Sequence, residues 1–230
     1  GRGPRRCGHR PSDPMNASIR HRRTAALILA LAAALTALPA QARQAARPAV
    51  AEPVAYGARD DVLALAAELA ERHGLDPVWA ADTLAQARHL PSVVKLIQPP
   101  PAGTAKNWAA YRARFVEPRR IRAGVEFWRA HARWLEEAQA RWGVPPAVVV
   151  GIVGVETIYG RHMGGFRVLD TLTTLALDWP KDARRDRSAL FRDELGAYLQ
   201  LCRRDGLDPL ALRGSYAGAS GMPQFLPSSI

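Results

Sequence analysis

Apolar residues recur at helical spacing from about residue 58 onward, and the first two segments with this pattern are short. The first runs from Ala58 to a stop at Gly74, and its apolar face consists of Val62, Leu65 and Leu69. Asp76 followed by Pro77 supplies an N-cap and a proline at the first helical position. The second helix is therefore predicted to begin there and to continue to Arg88.

Two longer helices are predicted further along the chain. One covers Arg119 to Trp142, and its apolar positions step by four, three, four and three residues, the spacing of one buried stripe. That stripe consists of Ile121, Val125, Trp128, Ala132 and Leu135. The other covers Arg187 to Arg203, with Phe191, Leu195, Tyr198 and Cys202 on one face. The sequence contains no run of alternating strands and no internal repeat, so the predicted fold class is mainly α.

One segment has a local pattern that fits two structures. Residues 148–155 are rich in β-branched side chains and contain Gly151 and Gly154, which favours a buried strand. Pro145 and Pro146 precede them and favour a helix start. If the segment is a helix, it is apolar all round and is expected to lie in the centre of the domain. The two glycines would then allow neighbouring helices to approach closely.

The first 42 residues carry more than half of the net positive charge. They contain seven Arg and one Asp, so without them the chain has 25 basic and 20 acidic residues, and the formal net charge falls from +11 to +5. A charge of this size suits an anionic polymer but gives little support to nucleic-acid binding. No nucleic-acid partner is therefore predicted.

Residues 15–42 have the three parts of a secretory signal peptide. Met15 precedes a basic stretch, an apolar run of 14 residues covers 25–38, and Ala40-Gln41-Ala42 supplies the small residues of a cleavage site. The run is shorter than the roughly 20 residues that span a bilayer as a helix. An uncleaved membrane anchor is the alternative, and membrane contact would then be confined to this segment. No Cys lies near the cleavage point, so a lipid anchor is not supported.

The rest of the N-terminal region is assigned by composition. Residues 1–14 are interpreted as an extension upstream of the start at Met15, residues 43–57 as a flexible lead-in, and residues 58–230 as one domain. Cys7 would be lost with the signal peptide, which leaves Cys202 without a partner for a disulfide. We expect Cys202 to be a small core residue on a helix face.

Glu156 is the candidate for chemistry because it ends the apolar run of residues 148–155. A carboxylate held among Val and Ile loses solvation, so its pKa is expected to rise, and a protonated carboxyl can act as a general acid. The alternative is a structural Glu paired with Arg161 or Arg167. The residues themselves leave both possibilities open.

Several motifs, in order, resemble the lytic murein transglycosylase B family, and the resemblance covers roughly residue 56 to the end. They lie at residues 111–115, 124–128, 143–157, 159–164, 169–175, 214–219 and 221–229. The resemblance implies a lysozyme-like helical catalytic core with an N-terminal helical subdomain. It also implies cleavage of the β-1,4 bond between N-acetylmuramic acid and N-acetylglucosamine, with the muramic acid C6 hydroxyl as the attacking group and a 1,6-anhydro end as the product.

By the same resemblance, Glu156 is the catalytic residue, first as acid and then as base. A retaining glycosidase ordinarily uses a second carboxylate, but the family lacks one, and the acetamido group of the substrate is thought to stabilise the charge. Asp170 is the nearest other carboxylate, and a structural hydrogen-bonding role is favoured for it. No cofactor and no metal site are predicted.

The family's substrate-binding positions correspond to five residues of this chain: Ser215, Gln224, Tyr111, Arg184 and Arg185. Turn formation is the alternative role for Ser215 and Gln224, and core packing is the alternative for Tyr111. The loop that carries the arginine pair differs in length from the family pattern.

Peptidoglycan glycan strands are the partner that the resemblance implies, and the periplasm is the implied location. Family members continue past the motif at 221–229, so the core is expected to be incomplete at Ile230. A non-catalytic peptidoglycan-binding protein of the same fold is the alternative function, and the sequence leaves the oligomeric state open.

Overall fold

The structure is a computed structural model that describes residues 54–99 and 107–230. The predicted upstream extension and signal peptide, and most of the lead-in, lie outside the described residues. The helices are α1 (Asp60–His73), α2 (Pro77–Ala85), α3 (Pro91–Leu96), α4 (Trp108–Ala113), α5 (Pro118–Ala130), α6 (Ala132–Trp142), α7 (Pro146–Thr157), α8 (Val168–Leu177) and α9 (Ser188–Asp205). Two short strands, β1 (Phe166–Arg167) and β2 (Arg213–Gly214), pair antiparallel, and a 3-10 helix covers Pro227–Ser229.

The first two helices begin and end at the signals that the sequence contains. Gly74 ends α1 in the left-handed conformation, at φ 62°. The Asp76 carboxylate accepts a hydrogen bond of 2.7 Å from the Trp79 amide and caps α2. The predicted end of α2 at Arg88 is wrong by three residues, because the chain leaves the helix after Ala85 and Arg88 pairs with Ala55 in a β-bridge.

The last residues of the segment assigned to the lead-in pack against this region. The Tyr56 amide donates to the Ala87 carbonyl at 2.8 Å, and the His89 amide donates to the Val54 carbonyl at 2.9 Å. The Tyr56 side chain is buried and its hydroxyl donates to Asp178. Residues 54–56 therefore pack with the helical domain, upstream of its predicted boundary at Ala58.

The core is built around α8, a helix for which the local sequence pattern gave no prediction. Its first nine residues, from Val168 to Ala176, are all buried. The predicted apolar faces of α1 and α9 pack in the same core, and Cys202 is buried there as expected. A fully buried Leu or Val contributes about 1.5–3 kcal/mol to stability, so the Leu and Val side chains of this cluster stabilise the fold strongly.

The predicted single helix from Arg119 to Trp142 is wrong, because it is divided into α5 and α6 at His131. His131 has φ −118° and ψ 17°, outside the helical region, although its amide still bonds the Phe127 carbonyl. The predicted stripe is also not buried as a whole: Leu135 is buried but Ile121 is exposed. The buried positions of α5 are Ala123 and Gly124, two small residues that leave room for a large side chain from elsewhere.

Residues 148–155 form a helix, which decides between the two structures that their pattern allowed. Pro146 is the first residue of α7, where its missing N–H costs no hydrogen bond. The expected central position is wrong, because Val148, Ile152 and Val155 are 48%, 47% and 46% exposed. Their spacing of four and three residues puts them on one face, while α5 and α6 pack against α7 elsewhere.

Among the described residues, no single helix is long and apolar enough to cross a bilayer. Helices α6 and α7 meet the length and composition criteria only as a pair, and the chain bends by 118° between them.

Candidate functional site

Glu156 lies in the last turn of α7, and its side chain is exposed. The expectation that it is desolvated among Val and Ile side chains is therefore wrong, because Ile152 and Val155 lie beside it on the open face of α7. The predicted alternative partner Arg167 bonds Asp170 instead. Within residues 54–99 and 107–230, Glu156 forms no ion pair, so its carboxylate is free to meet a ligand from solvent.

The chain turns sharply directly after Glu156. Three successive residues have positive φ: Ile158 at 50°, Tyr159 at 59° and Gly160 at 82°. The first two are not glycine, and each such residue costs of order 1 kcal/mol unless surrounding contacts hold it in place. The Tyr159 amide donates to the Val153 carbonyl at 3.2 Å, and the His162 amide donates to the Thr157 carbonyl at 2.9 Å.

The ring of Tyr159 anchors this turn between two helices. It lies against Gly124 of α5 and Gly154 of α7, and a Cβ atom at either glycine would overlap the Tyr159 hydroxyl. Phe127 packs beside it with ring centroids 5.4 Å apart. What approaches Gly154 is thus a tyrosine ring from a turn and not the neighbouring helix that was expected, and Gly151 faces open space.

The end of α7 and the turn after it form one wall of the candidate site. The loop that follows β2 and carries Ser215 forms a second wall. The Ser215 Oγ accepts hydrogen bonds from the Ala217 and Ala219 amides, both at 3.2 Å. Ser215 therefore has the turn-forming role that was one of its two predicted roles. Its hydroxyl proton is not used by these two bonds, so it can still donate to a ligand.

Gln224 lies at the far end of the same loop, with φ 53°. Its Nε2 donates to the Met163 carbonyl at 3.2 Å and to the Gly221 carbonyl at 2.9 Å. These two bonds use both amide protons and fix the side chain, which leaves the Oε1 carbonyl oxygen to accept from a ligand.

Three contacts join the turn after α7 to this loop. The first is the Gln224–Met163 bond. The second is the Thr157 hydroxyl, which donates to the Met222 carbonyl at 2.9 Å. The third is a close backbone approach, because a Cβ atom on Gly164 would overlap the Gly214 carbonyl. The structure thus brings Glu156, Ser215 and Gln224 to one region of the surface.

Tyr111 lies on α4 and is 51% exposed, so the core-packing alternative is wrong for it. Its ring stacks on that of Trp108, with centroids 5.7 Å apart, and contacts that of Phe115, with centroids 4.9 Å apart. Arg120 lies over Phe115 and donates to the Gly154 carbonyl at 2.8 Å, two residues before Glu156. This chain of contacts connects the aromatic cluster to the end of α7.

Arg184 and Arg185 lie apart from these residues. They line a cavity of about 450 Å³ together with Trp179 and Phe191, beyond the C-terminal end of α8. The loop that follows α7 contacts the other end of α8 through β1. Ten helical residues rise about 15 Å, so the arginine cavity and the Glu156 region lie at opposite ends of this helix.

Asp170 is buried, and its Oδ1 is bonded to two neighbouring residues. It accepts hydrogen bonds from Arg167 Nε and the Arg88 amide, both at 2.9 Å. These bonds agree with the structural role favoured for it, and they leave it unsuited to act as a second catalytic carboxylate. The described residues hold no cluster of three His, Cys, Asp or Glu side chains placed to bind a metal.

Sequence reasoning missed three residues that shape the site. Thr157, Tyr159 and Arg120 hold the end of α7 in place, but each has an ordinary local context in the sequence. The available signal was the pair of Gly124 and Gly154, which leaves space that one large side chain has to fill.

Comparison with known proteins identifies the family to which the chain is similar. Residues 57–230 match the family model described as the transglycosylase SLT domain. The membrane-bound lytic murein transglycosylase B of Escherichia coli (strain K12) is 39% identical over 170 residues, which cover 70% of this chain and 46% of that protein. The chain thus spans about half the length of this curated relative.

Solved structures show the same likeness. The soluble lytic transglycosylase SltB1 of Pseudomonas aeruginosa matches with a TM-score of 0.68 and 40% identity, over 74% of this chain and 55% of that one. Escherichia coli Slt35, solved in complex with bulgecin A, matches with a TM-score of 0.64 and 40% identity, over 72% and 51%. Pseudomonas aeruginosa SltB3, solved with NAG-NAM-pentapeptide, matches with a TM-score of 0.62 and 30% identity, over 73% and 43%.

These matches confirm the predicted fold class, a mainly α, lysozyme-like core. The chain therefore belongs to the transglycosylase SLT domain family, as a member of the lytic murein transglycosylase B type.

Proposed function

We propose that the protein is an exported lytic transglycosylase that cleaves the β-1,4 bond between N-acetylmuramic acid and N-acetylglucosamine in peptidoglycan. What supports this proposal is that, in a chain of this family, three contacts join the loop of Ser215 and Gln224 to the end of α7 that carries Glu156. The exposed carboxyl of Glu156 offers an acid, the hydroxyl proton of Ser215 offers a hydrogen-bond donor, and Oε1 of Gln224 offers an acceptor.

Glu156 acts twice in the proposed reaction. Its carboxyl proton passes to the glycosidic oxygen as the bond to C1 of the muramic acid breaks. The resulting carboxylate then takes the proton of the muramic acid C6 hydroxyl while that oxygen bonds to C1. The product is a 1,6-anhydro ring, the carboxyl is protonated again, and no water is consumed.

Asp170 takes no part in this step of the proposed reaction, because its Oδ1 is bonded to Arg167 and the Arg88 amide. The acetamido group of the muramic acid instead stabilises the positive charge at C1. The Ser215 hydroxyl donates to that acetamido group, and Gln224 Oε1 accepts from a sugar hydroxyl or amide.

Tyr111, Arg184 and Arg185 extend the proposed binding surface. The exposed ring of Tyr111 offers a flat apolar face on which a sugar can stack. Arg184 and Arg185 border a cavity whose walls include Trp179 and Phe191, and guanidinium groups there suit the carboxylates of a peptide stem. Because this cavity is at the other end of α8, we assign it to a part of the polymer distant from the bond that is cut.

Residues 15–42 are proposed to direct export to the periplasm. N-terminal sequencing of protein recovered from the periplasm should give a chain that begins at Arg43. A first residue within 15–24 would instead show that the apolar segment is retained as an anchor.

Digestion of murein sacculi by the purified full-length protein tests the function. Mass spectrometry of the released muropeptides should find anhydro ends. The variant Glu156→Gln should still co-sediment with sacculi and release nothing, because it keeps the shape of the side chain but has no acidic proton.

Glu137→Gln is the matched control, since Glu137 is an exposed Glu on α6. It should digest sacculi at the wild-type rate. Muropeptides with reducing ends would contradict the transglycosylase reaction, and release by Glu156→Gln at the wild-type rate would exclude Glu156 from the acid role. Binding without any release by the wild-type protein would favour the non-catalytic alternative.

A further inference from the structure

Thr157 follows the proposed catalytic acid and is fully buried, with 0% of its surface exposed. Its hydroxyl has contacts that an ordinary helical Thr does not have. It donates to the Met222 carbonyl at 2.9 Å and accepts from the Gly160 amide at 3.0 Å, and the Val153 carbonyl of its own helix lies 3.2 Å away.

Each of the first two bonds fixes a different wall of the site. The bond from the Gly160 amide closes the left-handed turn at Ile158 and Tyr159, which the backbone would not adopt unaided. The bond to the Met222 carbonyl holds the Gly221–Gln224 turn, in which the Gln224 amide donates to the Gly221 carbonyl at 3.3 Å.

The surroundings make this hydroxyl difficult to replace. Met222 also packs its side chain on Gly160, at 3.3 Å from where a Cβ atom would lie, so the two turns touch around the hydroxyl. A side chain without this hydroxyl would satisfy neither the Gly160 amide nor the Met222 carbonyl, so the two turns would move apart to find other partners.

We propose that Thr157 is a positioning residue that sets the spacing between Glu156 and Gln224. It does so without contact to the substrate, by tying the end of α7 to the loop that holds Gln224. The proposal rests on the proposed function, since it assigns Glu156 and Gln224 to the same substrate.

The variants Thr157→Val and Thr157→Ser test it by steady-state kinetics on a defined glycan strand. Valine keeps the shape of the side chain and removes both bonds, so kcat should fall by about tenfold to a hundredfold, the effect of misplacing a catalytic group by about 1 Å. KM should change less, by no more than about threefold, because Ser215 keeps its own contacts and the main change is in the spacing between Glu156 and Gln224. Serine keeps the hydroxyl and should restore kcat to within about threefold of wild type.

Thr173→Val is a matched control for the loss of a buried threonine hydroxyl. Thr173 on α8 is also 0% exposed, and its Oγ1 has no hydrogen-bond partner among the described residues. Removing that hydroxyl breaks no bond, so this variant should keep the wild-type kcat. If Thr157→Val does not unfold cooperatively, the comparison of Thr157→Ala with Thr157→Ser tests the proposal. The alanine variant should have a low kcat, and the serine variant should have a kcat near that of the wild type.

The results separate this proposal from the proposed function. A wild-type protein that releases no anhydro product refutes the function itself. An active wild type with a folded valine variant whose kcat is within about twofold of it refutes the role of Thr157. A serine variant as slow as the valine variant, or a rise in KM with kcat unchanged, refutes it equally.

Discussion

Two glycines of α7 should respond in opposite ways to the same substitution. Gly151 is exposed and faces open space, whereas a Cβ atom on Gly154 would lie 2.5 Å from the Tyr159 hydroxyl oxygen and 2.7 Å from Cζ of that ring. Carbon atoms in good contact are about 3.5–4.0 Å apart, so the ring has to move by about 1 Å. It cannot move freely, because Gly124 lies on its other side and its own backbone is held in a left-handed turn.

The magnitudes follow from these contacts. Gly→Ala in a helix interior gains up to about 1 kcal/mol, and Gly151→Ala should be more stable by about 0.5–1 kcal/mol. Overpacking costs about 1–3 kcal/mol. We take the upper end for Gly154 because the ring is enclosed, and after subtracting the helix gain, Gly154→Ala should lose about 2 kcal/mol.

Urea unfolding followed by circular dichroism measures both variants. With an m-value of about 2 kcal/mol/M, the midpoint should fall by about 1 M for Gly154→Ala and rise by up to about 0.5 M for Gly151→Ala. Midpoints that shift in the same direction by similar amounts would refute the close packing of Tyr159 between α5 and α7.

Three further predictions concern the core and its polar contacts. Asp170→Ala should destabilise the protein by about 3 kcal/mol in urea unfolding, because Arg167 and the Arg88 amide lose the carboxylate that accepts from them. A loss below about 1 kcal/mol would contradict the structural role of Asp170. Burial raises the pKa of the Cys202 thiol above its ordinary value of 9.0, so the thiol adds stability that is fully present below pH 9 and is lost as pH rises through the folded pKa. The difference in unfolding free energy between wild type and Cys202→Ala should therefore shrink above pH 9. A difference that is constant with pH would contradict this prediction. Glu194 is buried and accepts hydrogen bonds from the Ser228 amide at 3.0 Å and from the Ser228 hydroxyl at 2.7 Å. Glu194→Ala should therefore lower stability by about 2 kcal/mol and speed hydrogen exchange at residues 227–229, and unchanged exchange there would show that Glu194 does not hold that segment.

The sequence was sufficient to predict helices whose buried face is lined by large apolar residues. The faces of α1 and α9 are buried as predicted, because Leu, Val, Phe and Tyr at helical spacing have one favourable side to pack. The sequence pattern did not predict α8 because this helix is buried on all sides. Its Thr side chains are buried as well as its Leu side chains, so no exposed polar face alternates with an apolar one at helical spacing.

The same reasoning explains the errors at α5 and α7. Trp128, Val125 and Val155 are apolar but exposed, while the buried positions Ala123, Gly124 and Gly154 carry little or no side chain. Helix contacts made through glycine have no hydrophobic signal, since the large residue that fills the gap, Tyr159, comes from a turn elsewhere in the chain.

Of the candidate site, the resemblance identified Glu156, Ser215 and Gln224, and the structure brings these three to one region. Glu156 is exposed and not desolvated as predicted, because residues that are apolar along the sequence, such as Ile152 and Val155, are exposed beside it on α7. The roles of Thr157 and Arg120 depend on contacts with residues 65 and 34 positions away, which no local pattern reveals.

Digestion of sacculi in water enriched in ¹⁸O tests the central claim most directly. In the reaction proposed here, the muramic acid C6 oxygen replaces the glycosidic oxygen at C1, so the released anhydro-muropeptides should contain no ¹⁸O. Their masses should match those from ordinary water, and Glu156→Gln should release none of them. Muropeptides that carry one ¹⁸O at a reducing C1 would show that water is the attacking group and would contradict the account.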